Sequence, residues 1–533
     1  MFPEGGVNGA TVLRKVNWAI LPLFCLVSAF CYIDRTNLAF ASIQLNRDLG
    51  FNAQVYGLGS GLFFLGYSLF MVPSNLVMMR VGAPRWLGIQ VTVWGLVAAS
   101  FATLSSPSHF YWLRFALGAA EAGAFPGMWY YLYLFYPLDQ MTLPLSVMEA
   151  AVAGANVAAA PLAAVLLTLG GVGALAGWQW LFLVEGVCTV ALGLATASAL
   201  PSGLSTASFL TGHERHWLMQ RVEPTSGAGA TLGSSGMLGS VGAGREGGGG
   251  GGGGTREALK EALSNGKVWY VAIMGLFKNM ASHGILFWAP IINKALLEHR
   301  DLDPVRLDWT RHRGGDTTAA AATPVGAGGA GEVENEDGPE LIGGMVEVST
   351  AAVLLTGIPF ACAAFMAIWL GRRSQAKHER ALHLAVPYFA AAVLLASLPR
   401  LASAAPVLAF LAVAAAVSCV QGTNSIINSY VSVIATGSSM PVAMALYNAV
   451  ANLGGLLGPW LIGEMVWRTG GYGDAFRVLG AVMGAAAVMA WRTQRWPRVG
   501  GPAGGAAGGD GVAAAIVAAS GAKGLSAEDP VGF

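Results

Sequence analysis

The sequence predicts an all-α membrane protein of twelve transmembrane helices arranged in two six-helix bundles. Three observations carry that expectation. The 533 residues are 54% hydrophobic and only 11% charged, with a mean hydropathy of +0.56, where a soluble chain holds about 25% charged residues. Twelve apolar stretches have about the length a helix needs to cross a bilayer, some 20 residues. The sixth and seventh of these are separated by a polar linker that contains eight consecutive glycines, Gly247 to Gly254. Glycine offers no side chain to a core, so that linker reads as coil between two separately packed halves.

In chain order the expected span cores are 17–43, 55–79, 84–104, 109–135, 143–169, 178–200, 268–292, 346–370, 381–398, 404–436, 440–466 and 474–491. The expected organisation is an N-terminal bundle over 1–200, a flexible cytoplasmic linker over 201–267, and a C-terminal bundle over 268–496 with a long outer loop over 293–345. A disordered cytoplasmic tail is expected over 497–533. The first apolar stretch runs well beyond a signal-peptide core, so it is expected to be retained. Basic residues set the orientation. Arg14, Lys15, Arg80, Arg85, Arg372, Arg373, Lys377, Arg380, Arg492, Arg495 and Arg498 all fall on one side. Both termini are therefore expected in the cytoplasm. Two six-span halves around a midplane site suggest an internal repeat. GANVAAAP (Gly154 to Pro161) in span five and NLGGLLGP (Asn452 to Pro459) in span eleven echo each other.

The charges inside the spans carry the functional reading. Span one holds Tyr32-Ile33-Asp34-Arg35-Thr36-Asn37 and span four holds RFALGAAEAGAFPG, Arg114 to Gly127. Arg114 and Glu121 are seven residues apart, about two turns, so they share a helix face. Each charge at the centre of a membrane helix costs roughly 2.5–3.5 kcal/mol on insertion scales. Two carboxylates and two guanidiniums converge if spans one and four adjoin, with Asp34 and Arg35 in the outer half and Glu121 nearer the middle. A buried carboxylate beside an arginine can exchange protons, while arginine keeps its charge and grips a carboxylate through two donors. Asp34 and Glu121 are thus the candidate proton sites, and Arg35 and Arg114 the candidate anion contacts. The competing reading makes the four a static lock between helices.

The second half is polar rather than ionic. Lys278 and His283 lie in span seven. Asn424 in span ten and Asn448 in span eleven are candidate substrate contacts, as is Asn37 in span one. For Lys278, attraction of a substrate and a structural pair with an acid are equally supported, with Glu149 the first acid to consider. Inter-helix hydrogen bonding competes for the asparagines. Glu185, in WQWLFLVEG, reads as a brace for helix ends.

Several classes are excluded. A net charge of +1 gives no basis for nucleic-acid binding. Cys25, Cys31, Cys188, Cys362 and Cys419 lie in apolar runs without a CxxC pair. They read as packing thiols, with neither a disulfide framework nor a metal site. No GxxxxGK[ST] loop is present, so no nucleotide site and no cofactor are expected.

Six stretches in order carry a family resemblance: YIDRTNLAFA, PSNLVMMRVGAPRW, RFALGAAEAGAFPG, GWQWLFLVEG, FWAPII (Phe287 to Ile292) and ALYNAVANLGGLLGPWLIG. They occur in the expected order and resemble the anion:cation symporter family of the major facilitator superfamily, a resemblance that extends over nearly all twelve spans. The PSN loop resembles the branch that carries allantoate, tartrate, phthalate and vitamin acids. The resemblance implies alternating access and transport of a small organic anion, commonly with protons, by a non-enzymatic protein expected to be a monomer. It assigns coupling and substrate binding to the Asp-Arg pair of span one and the Arg and Glu of span four, here Asp34, Arg35, Arg114 and Glu121. Two departures stand out. The acid of the superfamily's usual inner-loop signature is absent, since Gln375 follows Ser374, and Lys278 is foreign to the family pattern. Within the same class a proton-independent facilitator or exchanger is the alternative, and outside it a non-transporting sensor.

Overall fold

The computed structural model describes residues 8–137, 140–222, 260–261, 263–298, 339–377, 379–434 and 440–496. The glycine run, most of the 293–345 loop and the 497–533 tail lie outside the described residues.

The first half comprises α1 (Gly9–Leu49), α2 (Ala53–Val81), α3 (Ala83–Ser100), α4 (Pro107–Glu121), α5 (Ala124–Tyr133), α6 (Thr142–Leu167) and α7 (Gly177–Ala199). The second comprises α8 (Gly266–Leu297), α9 (Pro339–Ala376), α10 (Ala381–Ala404), α11 (Pro406–Gln421), α12 (Asn424–Ile434), α13 (Met440–Thr469) and α14 (Gly473–Arg492). Local chemistry sets the ends. Asn8, Asn52 and Ser106 accept hydrogen bonds from the first free amides of α1, α2 and α4, and Gly50 closes α1 in the left-handed region.

Among the described residues ten helices are long and apolar enough to cross a membrane. The other two expected spans fall short for separate reasons. Span seven, α8, has 32 residues but holds Lys278, Asn279 and His283 near its middle. Span four is split into α4 and α5. The expected continuous helix over 109–135 is therefore corrected: it stops at Glu121 and restarts at Ala124. Gly123, at φ 91°, takes a left-handed turn that a residue with a β-carbon resists. The carbonyl freed at Ala122 accepts a hydrogen bond from Gln90 Nε2 of α3, so the break leaves that group satisfied in a place without water. Pro126 sits buried in the first turn of α5. Span ten has a milder interruption at Gly422 and Thr423, between α11 and α12, with Gly422 still in the right-handed region at φ −60°. Thr423 Oγ1 donates to the carbonyl of Val420 at 2.7 Å.

The loops are shorter than expected. Span seven continues to Leu297 and span eight begins at Pro339. Residues 212–222 of the expected coil are helical and are tied to the start of α1, where Lys15 Nζ meets Glu214 Oε1 at 2.8 Å. The halves approach closely where α2 meets α13. A β-carbon on Gly57 would come within 2.6 Å of the carbonyl oxygen of Pro459 and 2.9 Å of Gly463 Cα. The missing side chains are what allow the two backbones to approach so closely.

Candidate functional site

The charged residues of the first half meet in its interior. Asp34, Arg114 and Glu121 are 1%, 0% and 0% exposed, deep enough that any unpaired charge is costly. Arg35 lies one turn beyond Cys31 on α1 and reaches Glu121, the last residue of α4. Its Nε donates to Glu121 Oε1 at 2.7 Å, and its Nη2 meets the same oxygen. The Cys31 thiol donates there too, at 2.7 Å. Among the described residues Glu121 Oε2 has no partner. The guanidinium of Arg35 is walled by the rings of Tyr32, Phe63 and Tyr67, with centroids 5.0–5.4 Å away.

Asp34 points elsewhere. Its Oδ2 accepts from the indole N–H of Trp94 on α3, and its Oδ1 is unpartnered among the described residues. Arg114 makes no ion pair among the described residues. Its Nε and Nη2 donate over 3.4 and 3.3 Å to the backbone carbonyls of Gly59 and Ser60 on α2, and its Nη1 has no partner. Its guanidinium lies 5.1 Å from the Phe63 ring and 5.6 Å from that of Phe287 on α8. Asp34, Arg35, Arg114 and Glu121 remain within electrostatic reach of one another.

Glu121 takes both the Cys31 thiol and, from one turn further along α1, the side chain of Arg35. Asn37 is 1% exposed, with both side-chain polar atoms unpartnered among the described residues. Asn448, half-buried on α13, forms no side-chain hydrogen bond among the described residues. Lys278 is 6% exposed and donates to Asn424 Oδ1. Its partner is thus an amide rather than Glu149, whose position is exposed. His283 Nδ1 lies 3.1 Å from the carbonyl of Asn279, an acceptor only, so Nδ1 is the donor in that contact.

Several participants were not legible in the sequence. Trp94, Cys31 and the Gly59 and Ser60 carbonyls had no distinguishing signal. Cys31 is not a mere packing thiol, and Cys188 and Cys362 are exposed at the protein surface rather than buried. Glu185 does not brace a helix end. It lies near the middle of α7, 5% exposed, with both carboxylate oxygens unpartnered among the described residues and within electrostatic range of Asp34 and Glu121. Its presence in an apolar span was the available signal. Among the described residues no group of His, Cys, Asp and Glu side chains could hold a metal ion.

Comparison with known proteins decides the family. Residues 24–330 match the Major Facilitator Superfamily model. The chain belongs to that superfamily. It is accordingly a multi-pass membrane transporter, and the resemblance drawn from its motifs holds at superfamily level. The "Putative tartrate transporter" of Agrobacterium vitis is 37% identical over 243 residues, 45% of this chain and 54% of that protein. The chain thus spans about half the length of this relative. The Pseudomonas putida protein "Putative metabolite transport protein NicT" is 28% identical over 86% of this chain and 88% of its own length. Among solved structures, the Escherichia coli xylose transporter XylE in a partially occluded inward-open conformation superposes with a TM-score of 0.61 at 12% identity. It covers 91% of this chain and 99% of that one. An inward-facing bacterial homologue of the human lysosomal transporter Spinster gives 0.60 at 15% identity, covering 90% and 98%. At these identities the superpositions establish the fold alone.

Proposed function

We propose that this transporter moves a small organic anion by alternating access, in symport with protons, with Arg35 and Arg114 as anion contacts and Glu121 and Asp34 as proton sites. The observation that carries the reading is the buried Arg35–Glu121 pair beside an Arg114 that has no carboxylate of its own among the described residues. Glu121 and a substrate carboxylate compete for one guanidinium. Protonation of Glu121, at the unpartnered Oε2 or at Oε1, removes its charge and frees Arg35 to bind the substrate. Proton loss restores the pair and expels the anion. Arg114, held only by long bonds to carbonyls, supplies the second fork. Binding of the anion and of the proton therefore favour each other, which is what a symporter requires.

Two further points support this reading. The Agrobacterium vitis relative bears tartrate, an organic acid, in its name. The distribution of Lys and Arg supports cytoplasmic termini, and because one chain contributes both halves we take the monomer as the working unit. The test is uptake of radiolabelled organic acids into proteoliposomes with and without an imposed pH gradient. Accumulation that follows the gradient is expected. Uptake indifferent to it would leave a facilitator or exchanger, and absence of uptake for every acid would leave a sensor.

A further inference from the structure

Lys278 is a buried cation whose hydrogen-bond partner is neutral. It donates to the side-chain oxygen of Asn424, and among the described residues no carboxylate lies within ion-pair distance of it. The Asn424 amide is held in that orientation, because its Nδ2 donates to Gln421 Oε1 at 3.1 Å and so turns Oδ1 toward the lysine. An amide dipole offsets only part of the cost of keeping an ammonium out of water.

The position repeats the arrangement in the first half. There a cation of the first span, Arg35, meets Glu121 at the last residue before a helix break. Here a cation of the seventh span meets Asn424 at the first residue after the corresponding break in span ten. Beyond the change from guanidinium to ammonium, the carboxylate of the first pair is an amide in the second. The first half thus supplies a counter-charge for its cation and the second does not. The two cations also face a shared region. His283, five residues along α8 from Lys278, is within electrostatic reach of both Lys278 and Arg35, and its ring lies 4.4 Å from that of Phe64 on α2. Arg114 in turn lies against Phe287 of α8.

We infer that Lys278 is a second anion site and that the transported species is a dicarboxylate, one carboxylate held by Arg35 and Arg114 and the other by Lys278 and Asn424. The inference rests on the organic-anion reading and narrows it. A dianion brings the missing counter-charge with it. A monocarboxylate leaves Lys278 unmatched, so the site discriminates by charge count.

The test measures binding to the purified full-length protein and uptake into proteoliposomes, for a panel of radiolabelled dicarboxylates, tartrate included, each beside its own monoamide. The amide keeps size and hydrogen bonding while removing one charge. A dicarboxylate is expected to bind about tenfold or more tightly than its monoamide, the scale of a hydrogen bond to a charged group. Lys278→Gln should erase that preference while Lys278→Arg keeps it. Asn424→Asp, which gives the lysine an internal counter-ion, should weaken the dicarboxylate selectively. Binding of monoamides as tight as that of dicarboxylates in the wild type overturns the inference while leaving organic-anion transport standing. So does an equal loss for both in Lys278→Gln, or no selective loss in Asn424→Asp. Failure to bind or carry any member of either series overturns the organic-anion reading and this inference with it.

Discussion

Arg35 and Glu121 form a buried ion pair at the point where the fourth span breaks: Nε of Arg35 lies 2.7 Å from Oε1 of Glu121, and Glu121 is the last residue of α4. The pair therefore ties α1 to one side of a discontinuity, where the fourth span has a ready place to flex. A change in the charge of Glu121 acts both on a candidate substrate ligand and on the helix end that carries it.

Removing the titratable proton from that pair separates coupling from binding. Glu121→Gln is expected to abolish uptake driven by a pH gradient while counterflow exchange of the same anion persists. Gradient-driven uptake at the wild-type rate would take Glu121 out of the coupling role.

Arg114→Lys retains charge but loses the planar fork. Its carbonyl contacts at 3.3 and 3.4 Å are too long to make those bonds its main use. Anion affinity, read as KM or by equilibrium binding, should fall by about tenfold, the order of one charge-assisted hydrogen bond, with thermal stability little changed. Wild-type affinity would mean that a point charge suffices at this position.

Trp94→Phe keeps the packed ring and removes the N–H that Asp34 accepts. A buried carboxylate stripped of its donor costs roughly 1–3 kcal/mol, so the melting temperature in detergent should drop. In an Asp34→Asn background the same change should cost less, because the charge is gone. Equal costs in the two backgrounds would show that the indole acts by packing alone.

Outside the membrane, Glu214 has its carboxyl held below the ordinary carboxylate range, first by the hydrogen bond from Lys15 and then by the Thr211 amide. A depressed folded-state pKa contributes stability above the unfolded value, about 4.5, and that contribution fades as pH falls through the folded one. The small gap in melting temperature between wild type and Glu214→Gln should thus be present at pH 6–8 and close below about pH 4.5. A gap that widens in acid would show that the pair is not what anchors residues 212–222 to α1.

Membrane class, two-half organisation and the existence of intramembrane charges in spans one, four and seven were all readable from residue order. The reason is that crossing a bilayer imposes a local requirement, a run of apolar residues of fixed length, and any charge within it is conspicuous. What the charges do to each other was not readable. Arg35 meets Glu121 across 86 positions of chain, and which helix faces touch depends on the rotation and depth of each span, set by packing against every neighbour. Their meeting was conditional on spans one and four adjoining, and only the packed bundle brings them together. The sequence likewise marked Asp34 as charged but not that Trp94 holds it, and Lys278 as misplaced but not that Asn424 answers it. Helix breaks were hidden for a different reason. Gly118, Gly123 and Gly127 look alike in sequence, yet only Gly123 of the three adopts a left-handed backbone. The break is tolerated because Gln90, from another helix, satisfies the freed carbonyl. That compensation is a property of the tertiary structure, and no stretch of the fourth span encodes it alone.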